Sequence, residues 1–151
     1  MSTILVDADA CPVIDITIKV AKQFGLPVIL ICDTSHYMER DGAETITVSK
    51  GSDAVDFVLV NRVQQGDIVV TQDYGLAAMV LAKKGLPIDQ NGRIYSSENI
   101  DQLLFSRHLA KKIRQAGGRT KGPKKRQKEA DVNFKESLKK LIVQSKINIS
   151  E

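Results

Sequence analysis

Four short β-forming runs, set between stretches of helical periodicity, constrain this chain more than its size or charge does. Residues 3–8 place Ile4, Leu5 and Val6 side by side with no helical flank, the pattern of a strand covered on both faces. From Pro12 the periodicity changes and a helix is expected to Phe24, because proline is tolerated in a first helical turn and Gly25 followed by Pro27 ends it. Residues 27–33 (PVILICD) and 67–73 (DIVVTQD) repeat the buried-strand pattern, and 44–50 (ETITVSK) alternate as a strand nearer a sheet edge does. Further helices are expected over SDAVDFVLVNRV, entered through Ser52 or Asp53 as N-cap, over YGLAAMVLAKKG, closed by Gly85 and Pro87, and from about Glu98 to Gln115. Asn91-Gly92 reads as a tight hairpin turn.

Strands alternating with helices imply a three-layer α/β fold with a mainly parallel central sheet, spanning residues 1–116. Residues 117–128 then form a basic loop rich in Gly, Pro and Lys, and residues 129–151 an amphipathic helix and tail with Phe134, Leu138, Leu141 and Ile142 on its docking face. A chain of 151 residues with 42% hydrophobic content can bury a substantial core in one domain. No apolar run approaches membrane-spanning length, and MSTILVDAD lacks the basic and apolar regions of a signal peptide. Cys11 and Cys32 show no metal or redox spacing and read as reduced thiols, so a cytoplasmic protein is expected.

Charge is segregated. Residues 1–106 carry eight Lys/Arg against fourteen Asp/Glu, whereas residues 107–128 carry ten Lys/Arg and no acid. An acidic body beside a basic segment suits carboxylates that hold cations and a separate patch that grips a polyanion; a solvated basic tail is the plainer alternative.

In parallel sheets, functional groups collect beyond the C-terminal strand ends. Asp7 and Asp9 close the first strand and Asp73 the fourth, so these acids converge if those strands are neighbours. Asp53 and Asp56, three apart at a helix start, would share a face. Such an oxygen-only set suits Mg²⁺ or Mn²⁺, and clustered aspartates without a cation would raise one another's pKa values. Each acid also has a simpler role open to it. Asp9, Asp53 and Asp73 could cap helices and Asp56 could favour a helix dipole, but Asp7 lies too far before its helix to be a cap.

Around these acids, Thr71 shares a strand face with Asp73 and could bond a metal-bound water or merely satisfy the sheet. His36 follows the second strand and could carry a proton or touch a phosphate, or be an ordinary polar loop residue. Arg119, Lys121, Lys124, Lys125 and Arg126, spaced by Gly and Pro, are the nucleic-acid contacts expected from the basic loop. No aromatic interrupts them, which favours backbone-directed binding over base stacking.

The segments ILVDADACPV, DTSHYM, GSDAVDFVLV, VVTQDYGLA, NGRIYSSENI and GGRTKGPKK together resemble the YaiI/YqxD family of small bacterial proteins over nearly residues 3–126. That family is similar in turn to the PIN-like nuclease superfamily, including its NYN branch, whose members use clustered acids and Mg²⁺ or Mn²⁺ to cut RNA. The resemblance implies a three-layer PIN-like fold, with Asp7 at the first strand-end acid, KGSDAVD at the helix-start acids and Asp73 at the late strand-end acid. Many PIN-like sites carry another acid soon after the late one, where Tyr74, Gly75 and Leu76 stand here; Asp9 or Asp56 would have to fill that place.

The expectation is therefore a Mg²⁺- or Mn²⁺-dependent phosphodiester hydrolase acting on RNA, with Asp7 and Asp73 central and Asp9, Asp53 and Asp56 assisting. Two alternatives stay open. One is a non-catalytic RNA-binding module. The other is a phosphatase of the haloacid-dehalogenase kind, which Asp7-Ala8-Asp9 also resembles, although Cys11 replaces the Thr or Val expected there and no later Asp-Asp pair follows.

Overall fold

The computed structural model describes residues 2–51, 53–118 and 125–150. Five strands form a single sheet: β1 (Ile4–Asp7), β2 (Val28–Asp33), β3 (Glu44–Val48), β4 (Ile68–Val70) and β5 (Leu86–Ile88). Their order is β3-β2-β1-β4-β5 and every pairing is parallel. Helices α1 (Ile14–Phe24), α2 (Ala54–Arg62), α3 (Tyr74–Ala82), α4 (Ile100–Gln115) and α5 (Lys128–Ser150) complete the fold. This is the three-layer α/β architecture that the strand–helix alternation and the PIN-like resemblance imply.

Side-chain alternation along the strands divides the core between two faces. Ile4, Val6, Val28, Leu30, Ile68 and Val70 pack with α1 and with Phe134, Leu138, Leu141 and Ile142 of α5. Leu5, Ile31 and Val69 pack instead against Leu59 of α2 and Leu76 and Val80 of α3. The pleat that points Leu5 toward α2 and α3 points Asp7, two residues on, to the same side, just past the end of the apolar layer. Since β1 lies directly beside β4, with Val6 opposite Val70, Asp7 and the residues following Val70 share one sheet edge. The strand order reverses between β1 and β4, which makes this edge the switch point of the sheet.

Three local features differ from the sequence expectation. The stretch read only as a helix stop, Leu86-Pro87-Ile88, is a fifth parallel strand; it lies at the sheet edge, where a residue with no N–H is tolerated. The Asn91-Gly92 turn is a three-residue connection rather than a two-residue one. Asp89 N–H donates to the Arg93 carbonyl, Gly92 N–H donates to the Asp89 carbonyl, and only Gly92 takes a left-handed φ of 91°, the pattern of a type I turn with a bulge. Finally, Asp53 occupies the N-cap position of α2 at φ 66° but makes no side-chain capping bond, so its carboxylate is left for other partners. The other capping candidate, Ser52, lies outside the described residues.

α5 seats against the hairpin after β5 as well as against α1. A Cβ on Gly92 would lie 2.6 Å from the Asn133 carbonyl oxygen, so only glycine lets the turn and the helix approach this closely. Among the described residues, no helix is long and apolar enough to cross a membrane.

Candidate functional site

The sequence-predicted acids fall into two adjoining groups at the C-terminal edge of the sheet. The first is Asp7, Asp56 and Asp73, with Asp53 at its rim. Asp7 comes from the end of β1. Its Oδ2 accepts a 2.9 Å hydrogen bond from Thr71 Oγ1, and Thr71 Oγ1 in turn accepts from Asp73 N–H at 3.0 Å. Thr71 is buried and therefore a fixed strut between β1 and the loop leaving β4. Asp73 caps α3 by accepting from Leu76 N–H at 3.1 Å through Oδ1. The capping role open to Asp73 is real, and it coexists with a place in the cluster: the Asp56 side chain hydrogen-bonds Asp73 and also feels Asp7 and Asp53.

The electrostatics follow from that crowding. Burial and then the neighbouring carboxylates of Asp73 and Asp7 push Asp56 up to about 7 from the ordinary 3.8. Asp7 is raised chiefly by burial and further by Asp73 and Asp9, against the lowering effect of the Thr71 hydroxyl. Without a cation, then, this group of acids holds a proton near neutral pH. Asp53, Asp56 and Asp73 also line an open depression of about 540 Å³ whose other walls include the exposed Phe57 and Met79.

The second group is Asp9, Asp33 and His36, each of which offers a ligand atom within 4.8 Å of the others. Ala10, at φ 57°, turns the chain sharply after Asp9, and Asp9 feels His36 rather than Asp56. His36 Nδ1 donates to Asp33 Oδ1 at 2.8 Å, since an ionised carboxylate can only accept; Nε2 is thereby left as the unprotonated nitrogen of the neutral ring. The bond to Asp33 and the charges of Asp33 and Asp9 raise the imidazole pKa, and His36 holds Asp33 below its usual range. Asp9 Oδ1 lies 3.5 Å from His36 Nδ1, near enough for attraction, yet it is buried with no hydrogen bond among the described residues. Asp33, which the sequence marked only as the last residue of the strand over 27–33, is therefore a member of the site; its signal was its position three before His36 at a strand end.

A cavity of about 170 Å³ joins the groups, lined by Asp7, Asp9, Cys11, Thr71, Gln72 and Gln90. Gln90 Oε1 is, with Asp9 Oδ1, a buried oxygen without a hydrogen bond among the described residues. Burial pushes the Cys11 thiol up, which disfavours the thiolate. A hard divalent cation fits the oxygen donors: Asp9 Oδ1 is buried with no hydrogen bond among the described residues, and the carboxylates of Asp7, Asp56 and Asp73 crowd together.

Of the expected nucleic-acid contacts, Arg119, Lys121 and Lys124 lie outside the described residues, and Lys125 is exposed. Arg126 is engaged within the chain. Its Nε and Nη2 donate to Asp131 Oδ1 at 2.8 and 2.7 Å, Nη1 donates to Asn91 Oδ1 at 2.9 Å, and Nη2 donates to the Gln90 carbonyl at 2.8 Å. It ties the start of α5 to the turn that walls the cavity.

The family model described as "Uncharacterized BCR, YaiI/YqxD family" matches residues 5–144. A UPF0178 protein of Exiguobacterium sibiricum is 57% identical over 141 residues, covering 93% of this chain and 96% of that protein. UPF0178 proteins of Ruminiclostridium cellulolyticum and Clostridium acetobutylicum are 59% identical over 135 residues (89% of this chain, 88% of that protein) and 46% identical over 146 residues (95% and 99%). No solved structure matches the chain.

Proposed function

The chain belongs to the YaiI/YqxD family, and we propose that it is a Mg²⁺- or Mn²⁺-dependent nuclease that hydrolyses phosphodiester bonds in RNA. The observation that carries this reading is the convergence of Asp7, Asp56 and Asp73 on one sheet edge, where the Asp56 side chain hydrogen-bonds Asp73 and neighbouring carboxylates raise both Asp56 and Asp7. Asp7, Asp56 and Asp73 would hold the cation, with Asp9 and Asp53 at its margins. Bound there, it would neutralise the clustered charge, polarise a phosphoryl oxygen and lower the pKa of a nearby water.

The protein's own part is to position and to titrate. Thr71 fixes the Asp7 carboxylate, and the capping bond to Leu76 N–H orients the Asp73 carboxylate. The Asp56 carboxyl, pushed up to about 7, would give up its proton on binding a cation. His36, oriented by Asp33, presents Nε2 as a proton acceptor at the site's margin.

The test is cleavage of labelled single-stranded RNA with Mn²⁺ or Mg²⁺ by wild type and Asp7→Asn. Metal-dependent cleavage lost in a folded Asp7→Asn variant is the expected result. Cleavage that persists in that variant overturns the assignment, and RNA binding with no cleavage by wild type would indicate a non-catalytic RNA-binding module.

A further inference from the structure

Beside the acidic cavity runs a second, larger concavity of about 690 Å³, walled by the loop after β4, the hairpin at 89–95, α4 and α5. It lies within the size range of ligand sites, but its walls are polar and its cations come from three separate elements. Arg93 projects from the hairpin, Arg107 from α4 and Lys140 from α5. Among the described residues, none of the three is held in an ion pair. Arg107 is instead placed over the Tyr74 ring, 4.5 Å from its centroid, which orients the guanidinium while leaving its N–H groups available.

Two acids also line the groove. Asp89 Oδ1 is already taken by the N–H groups of Asn91 and Arg93, both at 2.8 Å, and Glu136 sits on the exposed rim. Tyr95, buried beneath, stacks edge-on against Tyr74 and donates its hydroxyl to the Thr71 carbonyl at 3.2 Å. The groove floor is thus tied to the strand end that carries Thr71. Gln72 and Gln90 belong to both the groove and the acidic cavity, so the one opens along the wall of the other.

We propose that this groove binds the sugar–phosphate backbone of single-stranded RNA, with Arg93, Arg107 and Lys140 on successive phosphates, and leads the strand past Gln72 and Gln90 to Asp7. For its substrate class it rests on the ribonuclease reading above. A single strand fits because the cavity beside Asp7 has only about 170 Å³, room for one phosphodiester and not for a duplex. A groove of side-chain cations that tracks the backbone is a usual means of holding such strands without sequence preference. Ribose is favoured because Asn91, Asn133 and Ser137 offer hydrogen-bonding groups along the wall where a 2′-hydroxyl can be read.

The experiment measures binding of a fluorescent oligouridylate of about 12 nucleotides by anisotropy, in chelator so that no divalent ion takes part. The triple variant Arg93→Gln/Arg107→Gln/Lys140→Gln is compared with wild type and with a charge-matched control, Lys19→Gln/Lys22→Gln/Arg62→Gln, on exposed positions of α1 and α2. Loss of about threefold per charge, roughly thirtyfold for the triple variant, and a salt slope shallower by about 0.7 per charge are expected, with the control near wild type. Wild-type affinity in the folded triple variant, an equal loss in the control, or no binding by wild type overturns the groove assignment. Equal affinity for the deoxy oligonucleotide overturns the ribose preference. Because cleavage is not read, failure here leaves the acidic cluster's assignment standing, and failure of the Asp7→Asn cleavage test leaves this one standing.

Discussion

Thr71 Oγ1 donates to Asp7 Oδ2 at 2.9 Å, joining two residues 64 apart in sequence across adjacent strands. The same hydroxyl oxygen accepts from Asp73 N–H, so one buried threonine sets the separation of two of the clustered acids. Thr71→Val keeps the shape and removes both bonds. It should destabilise the fold by about 1–3 kcal/mol in chemical denaturation and weaken Mn²⁺ binding, and Thr71→Ser should restore most of both. A fully stable valine variant would show that the strut is dispensable.

The raised carboxyl of Asp56 makes a signed prediction about pH. Its folded value is about 7 against 3.8 when unfolded, so within that window the folded protein binds the extra proton and loses stability as pH rises. Asp7, raised as well, acts in the same direction. In chelator the thermal midpoint should fall between about pH 4 and about pH 7, and Asp56→Asn should flatten that fall. His36 adds to it, because a raised imidazole pKa gives stability present below 6.5 and lost above the folded value; His36→Gln in the same scan separates the two. Saturating Mn²⁺ should abolish the Asp56 component. A wild-type midpoint that is level or rising over this range would contradict the crowding.

Arg126 links α5 to the turn at 90–91 through Asp131, the Gln90 carbonyl and Asn91. Arg126→Ala should cost about 1–2 kcal/mol and speed amide exchange at the start of α5. RNA affinity should fall less than for the groove arginines, because this guanidinium is already occupied.

Gly92→Ala should cost about 2–4 kcal/mol, since φ is 91° and the new Cβ would meet the Asn133 carbonyl oxygen. The loss would appear in thermal melts. It should be accompanied by weaker RNA binding, because the same contact closes the groove between hairpin and α5.

Much of this was legible in the residues. The buried-strand runs of Ile4–Val6 and Ile68–Val70, with helices between, already placed Asp7 at a strand end; the fourth strand closes at Val70, so Asp73, read as its last residue, lies just beyond it as the N-cap of α3, and the register of β1 on β4 keeps both acids at one edge. Phe134, Leu138, Leu141 and Ile142 marked the docking face of α5 by spacing alone. What stayed hidden depends on backbone turns and on contacts distant in sequence. Ala10 is left-handed and Asp9 pairs with His36, and nothing in DADACP announces either. Leu86-Pro87-Ile88 is too short and proline-bearing to read as a strand until β4 is seen beside it. The groove cations Arg93, Arg107 and Lys140 carry no motif, because three separate elements bring them together, while Arg126, drawn from the most conspicuous basic run, is bound to the chain's own Asp131.

The most direct measurement of the central claim is a calorimetric titration of Mn²⁺ into wild type and Asp7→Asn near neutral pH. Saturable binding with proton release in wild type, lost in the folded variant, is the predicted result, because a cation bound beside Asp56 would displace the proton that its raised carboxyl carries. Absence of binding in wild type, with RNA present and without it, or equal binding in both proteins, would contradict the metal-centre account.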